Sequence, residues 1–203
     1  MNPSRCIACP SFPCTDVDHS GFGVPNLEIA PHRIKIILIS EAAPANPDDH
    51  YYAPGHPLFA ETTVQAFGDA GADVDSLREV MDLGVYLTTA VKCAKTAYGI
   101  ATNTVKQCSQ LLEQELALFP NVKAYLLMGS VAIKALNAIA RRQGKPRPVP
   151  AGSTYKIRDG EFRYQGIRVL PSYLQAGPAF FIEKSKRRMI AEDIRTGLEL
   201  IGS

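Results

Sequence analysis

The sequence predicts a three-layer α/β/α sandwich around a four-stranded, mostly parallel sheet. Three observations predict it. Four short runs at residues 33–40, 85–93, 122–129 and 167–172 are rich in Val, Ile and Leu, and most lack the polar alternation of a half-exposed strand. Segments with apolar residues at helical spacing lie between them. Strands alternating with helices specify parallel strands joined by crossovers, with helices packed on both faces of the sheet.

Residues 1–32 are rich in Pro, Gly, Ser and Cys and follow neither helical nor strand periodicity, so they read as an irregular arm that something must tie down. The cysteines are the natural candidates. "RIKIILIS" (33–40) is the first strand, and a polar, Pro-rich loop from 41 to 59 leads into a helix over about 60–70. A second helical stretch covers about 75–81 and closes at Gly84. "VYLTTAVKC" (85–93) is the next strand, followed by the loop "AKTAYGIAT". Leu111, Leu112, Leu116 and Phe119 then make an apolar stripe along a helix within 103–119. "VKAYLLMG" (122–129) is the third strand, and Gly129 turns it into the helix "SVAIKALNAIARR". Asp159-Gly160 predicts a hairpin turn between "TYKIR" and "EFRYQ", ahead of the fourth strand "IRVLPS" (167–172) and a last helix over about 179–201. In sheets of this kind the loops at the carboxyl ends of the strands build the site, and here they begin at Glu41, Cys93, Gly129 and Pro171.

A chain of 203 residues is long enough for one sizeable core and short for two, so residues 1–203 are expected to form one domain, acting as a monomer. No run of about 18 apolar residues is present, and "MNPSRCIACPSFPC" lacks the apolar core of a signal peptide. A cytoplasmic protein with no membrane partner is expected. The net charge of +2 selects no partner, because nucleic-acid binding needs local clusters of charge.

Five cysteines in a reducing compartment point to metal or redox chemistry before disulfides. Cys6 and Cys9 form a C-x2-C pair; Cys93 stands at a strand end and Cys108 in the first turn of the following helix. Four thiolates from two such segments can close around one iron-sulfur cluster or one zinc ion, and would staple the arm to the sheet. Cys14 is then a spare, or a substitute for Cys9.

In the same order along the chain stand "CIAC" (6–9), "SEAAPAN" (40–46), "GHPLF" (55–59), "TTAVKC" (88–93), Cys108 and "LPSYL" (170–174). Together they resemble the iron-sulfur branch of the uracil-DNA glycosylase superfamily (family 4/5-like), over most of the chain. The resemblance implies a [4Fe-4S] cluster on Cys6, Cys9, Cys93 and Cys108, and a DNA-repair activity that turns out a damaged, deaminated base and hydrolyses its N-glycosidic bond. It puts Glu41 at the acidic position of the first motif, available to orient water or stabilise a cationic sugar. Phe59, or Leu58 by strict alignment, falls where a stacked base would rest.

Two positions depart from the pattern. The family's base-reading asparagine falls on Thr89, whose one hydroxyl cannot reproduce an amide's paired donor and acceptor. Its late histidine falls on Leu170, and loss of one such donor to a developing anion costs about 10²- to 10³-fold in rate. An efficient uracil-specific enzyme is therefore not expected. His50 and His56, flanking "YYAPG", are candidate replacement proton donors. For DNA, single-stranded or damaged, the candidates are "RRQGKPR" (141–147), the cluster Lys184, Lys186, Arg187 and Arg188, and the loop bearing Ser172, Tyr173 and Leu174. Lys92 and Lys95 near the sheet's carboxyl edge add to the expectation of an anionic ligand. Three functions remain open: a glycosylase-like hydrolase, a non-catalytic nucleic-acid-binding relative, and a hydrolase of small nucleosides or nucleotides.

Overall fold

The computed structural model describes residues 1–202. In chain order the strands are β1 (Val17–Asp18), β2 (Ile36–Ala43), β3 (Val85–Lys95), β4 (Ala124–Met128), β5 (Phe162–Tyr164) and β6 (Ile167–Ser172). They form one six-stranded sheet in the order β1-β3-β2-β4-β6-β5 rather than the four strands expected. The inner four are parallel, and the two extra strands are short antiparallel edges.

The chain passes from β2 to β3 on one side, then back across β2 to β4. Because such crossovers are right-handed, the reversal puts the connecting helices on opposite faces. Helices α1 (Leu58–Asp69) and α2 (Leu77–Asp82) cover one face. α3 (Thr102–Leu116) and α4 (Ser130–Arg142) cover the other. A short α5 (Thr154–Ile157) and α6 (Ala179–Ile182) precede α7 (Lys184–Gly202), which returns to the α1 face. There Ile36, Leu38, Leu126 and Leu170 meet Phe67, Ile190 and Ile194. On the opposite face Ile37, Ile39, Tyr125 and Leu127 meet Leu112, Leu136 and Ile139. The expected sandwich is thus present. The strand order reverses between β2 and β4, the crevice where open α/β sheets bind ligands.

Three expectations need correction. β2 does not stop at Ser40: pairing of Ala42 with Val91 and Ala43 with Ala94 carries it to Ala43, so Glu41 is a strand residue with a fixed direction. The hairpin does not turn at Asp159-Gly160. "TYKI" is a helical turn, and the strands reverse at Gln165 (φ 53°) and Gly166 (φ 85°), the mirror-image two-residue turn that suits strand twist. The last helix is broken at Glu183 (φ −93°, ψ 74°), leaving Phe181 and Ile182 exposed just ahead of the basic start of α7. The arm is also held by backbone and side-chain bonds. β1 pairs with Lys95 and Ala94; Gly23 N–H donates to Lys92 O (2.8 Å); and the Asp16 carboxylate accepts from Ala101 N–H (2.6 Å) and Thr104 Oγ1 at the start of α3. Those bonds hold the Asp16 carboxyl below the usual range. Among the described residues no helix is long and apolar enough to cross a membrane.

Candidate active site

A groove of about 1120 Å³ opens across the carboxyl ends of β2, β3, β4 and β6. Glu41 lies on its floor at the β2–β4 reversal. Its Oε1 accepts the N–H of Val131 (3.3 Å) in the first turn of α4, where unpaired backbone donors and the helix dipole favour a negative charge. Gly129 makes this approach possible. It adopts φ 96° and ψ 169°, a region nearly closed to other residues, and a Cβ there would stand 2.6 Å from Glu41 Oε1. The strand–glycine–helix junction visible in the sequence is therefore the device that seats the carboxylate.

Leu58 and Phe59, in the first turn of α1, line the groove, as do Asp49, Tyr173 and Leu174. The Phe59 ring meets Tyr51 edge-on at 5.4 Å, so it is anchored to the core on one side and open to the groove on the other. Lys95, Lys134, Lys186 and Arg187 supply positive charge to the walls. Arg187 is committed to Asp69 and lies over the Phe180 ring (5.0 Å), whereas Arg188 is largely exposed and only 3.8 Å from Glu192.

Other expected site residues lie elsewhere. Thr89 is buried, 1% exposed, and does not line the groove. Ser172 is fully buried with its hydroxyl on Asp193, because the last residue of β6 points beneath α7; it presents nothing to a phosphate. Leu170 is core. His56 projects into solvent and pairs with Glu61 (3.5 Å), away from the groove. His50 packs behind the site against Tyr51 and Tyr52, and a side chain on Gly23 would lie 3.2 Å from its Nε2. Burial, and then the Lys92 charge, depress its pKa to about 4, so at neutral pH it is an uncharged imidazole. Lys92 is not aimed at a ligand. Its ammonium is wholly buried, ion-paired with Glu115 and donating to Thr88 Oγ1 (2.7 Å) and Thr89 O (2.6 Å). The "RRQGKPR" cluster does not line the groove either, and Arg142 in it is bound to Glu113 and Ser109.

Sequence reasoning missed three features. Lys134 stands one turn up the helix that holds Glu41, on a face the Gly129 junction identifies. Tyr98, in a loop with no periodicity, carried no signal. A buried network joins Ser40, Tyr51, Thr63 and Gln175 beneath the groove: Gln175 Nε2 donates to Tyr51 Oη (2.7 Å), Ser40 Oγ (3.2 Å) and Thr63 Oγ1 (3.2 Å). It ties the loop after β6 to β2, the 41–57 segment and α1.

All five cysteines are free. Cys93 and Cys108 are buried, with Cys9 and Cys14 packed against the same core. Burial, and then the neighbouring Cys108, Cys9 and Cys14, push the Cys93 thiol up to about 12; burial also raises Cys108, whose Sγ accepts the Lys92 N–H (3.1 Å). Cys6 is exposed, and its Sγ faces Asn2 O (3.7 Å). Among the described residues no three His, Cys, Asp or Glu side chains are gathered tightly enough to cage a single metal ion.

Comparison with known proteins gives two matches. The family model described as "Uracil DNA glycosylase superfamily" matches residues 28–191. A "Type-5 uracil-DNA glycosylase" of Thermus thermophilus is 31% identical over 94 residues, which are 46% of this chain and 43% of the relative. The aligned part thus spans less than half of either protein.

Proposed function

The chain belongs to the uracil-DNA glycosylase superfamily, family 4/5-like, and from that premise we propose that it is a DNA-repair hydrolase that cleaves the N-glycosidic bond of a deaminated base. The observation that carries the proposal is the Glu41 carboxylate, fixed by the Val131 N–H at the floor of a groove walled with cations. In the reaction the bond from C1′ to the base nitrogen breaks, water oxygen bonds to C1′, and the base leaves with the electron pair and takes up a proton. Glu41 orients the water and offsets positive charge on the sugar as it develops. Leu58 and Phe59 offer apolar surface to an extruded base.

The base is one other than uracil, or uracil handled slowly. Thr89 offers no paired amide and lies covered, and Leu170 is core rather than a donor. The same two positions favour a second reading, a non-catalytic member that keeps the nucleic-acid surface. Exposed Phe181 and Ile182, beside Lys184 and Arg188, suit contact with distorted DNA in either case.

We also propose a resident [4Fe-4S] cluster. Cys9, Cys14, Cys93 and Cys108, which pack on one core, are the residues that would hold it, with Cys14 in place of the Cys6 that the resemblance implies. Metal binding would remove the protons that burial keeps on Cys93 and Cys108. The cluster's contribution is structural, fastening the arm to β3 and α3. The single-domain, monomeric, cytoplasmic organisation expected from the sequence belongs to the same proposal.

The test is anaerobic incubation with oligonucleotides carrying uracil, hypoxanthine, xanthine or an alkylated base, single- and double-stranded. Cleavage of at least one, lost in Glu41→Ala, is the expected result. Binding across the panel without cleavage establishes the second reading instead.

A further inference from the structure

Tyr98, between β3 and α3, is the most exposed large hydrophobic side chain among the described residues, at 100%. Its own fold makes no use of the ring beyond one contact, the Lys95 ammonium 5.4 Å from the ring centroid. Tyr173, just past β6, carries a matching contact: the Lys186 ammonium lies 5.5 Å from its centroid. The Lys186 ammonium is ion-paired with Glu183, which also lines the groove, and that bond is the main cause of its raised pKa. Both tyrosines and both lysines line the groove that has Glu41 on its floor.

A π-face left in water beside fixed ammonium groups is the arrangement that takes up unpaired bases. The ring stacks on the base while Lys95, which has no acidic partner among the described residues, neutralises a flanking phosphate. A closed duplex cannot use it, since its bases are already stacked on one another and only its backbone reaches the cations. We propose that Tyr98 and Tyr173 form an aromatic clamp for bases flanking the target nucleotide, and that the groove therefore takes single-stranded DNA in preference to closed duplex. This inference rests on the DNA-binding half of the proposed function and is independent of cleavage.

Fluorescence polarisation of the full chain with a labelled oligothymidylate, and with a labelled hairpin duplex, both without any damaged base, reads binding alone. The single strand is expected to bind about tenfold more tightly than the hairpin. Tyr98→Ala should weaken the single strand about tenfold and the hairpin less than about twofold, while Tyr98→Phe should match the native protein. Because Tyr98 is wholly exposed, an unchanged melting curve will show that these variants are folded. Equal affinities for the two DNAs, or a Tyr98→Ala effect that is absent or the same on both, overturns the clamp and leaves the DNA-binding reading standing. No binding of either DNA overturns both.

Discussion

Gly129 and Glu41 constrain each other at the floor of the groove. Gly129→Ala would hold an L-residue in a glycine-only backbone region and push its Cβ into the carboxylate. It is expected to cost about 1–3 kcal/mol in chemical denaturation. It should also reduce glycosylase turnover nearly as far as Glu41→Ala; full turnover would separate Glu41 from the chemistry. His50 governs a different property. Its pKa falls from 6.5 to about 4 on folding, so the unfolded chain binds a proton that the folded chain refuses. Its contribution to stability is complete above pH 6.5 and is lost as pH falls toward 4, amounting to about 3 kcal/mol at most. His50→Gln should flatten the loss of denaturation midpoint across that window, and an unchanged slope would contradict this assignment. Both histidines were legible as polar loop residues; which one packs against the sheet and which one faces solvent depends on where the loop folds back.

β3 shows how one element serves two faces and an edge. Tyr86 and Thr88 point to the α3 face and bond Glu115 (2.6 Å, and 2.9 and 3.0 Å), while Leu87 packs on the α1 face. Along the outer edge, Tyr52 Oη donates to Leu87 O (2.9 Å) and the Lys92 ammonium caps Thr89 O, closing backbone groups that β1 is too short to reach. Lys92 is thus structural, and its burial depends on Glu115. Glu115→Ala leaves an uncompensated ammonium in the core and is expected to cost about 3–5 kcal/mol in urea unfolding. The double variant Glu115→Ala/Lys92→Met should recover much of that loss, and failure to recover would mean that packing rather than charge dominates. The hydroxyls of "VYLTTAVKC" follow the same logic: Thr88 completes the ion-pair network, and neither threonine lines the groove. Strand existence was readable from the β-branched run, but its partners were not, because Glu115 lies a full helix away in sequence.

For the whole molecule, backbone pairing with capping by Asp16 holds the arm to the body, and the proposed cluster would add a second, independent fastening. Cys14→Ser and Cys108→Ser are expected to abolish bound iron and sulfide and to raise hydrogen exchange across residues 1–32. Cys6→Ser should leave both near native. Iron retained in Cys14→Ser and lost in Cys6→Ser would restore the C-x2-C set and refute the substitution. The sequence by itself determined the layered α/β architecture, the four parallel strands and the loops that carry the site. It could do so because burial on both faces of a strand and one face of a helix imposes periodicities that survive in the linear order of residues. Only the tertiary structure decided the two antiparallel edge strands, the seating of Glu41 on the N-terminus of α4, and the withdrawal of Thr89, Ser172 and Lys92 from the groove. Each of those turns on the direction of a single side chain relative to a distant segment, and hydrophobic periodicity carries no record of direction between residues that meet only when the sheet closes.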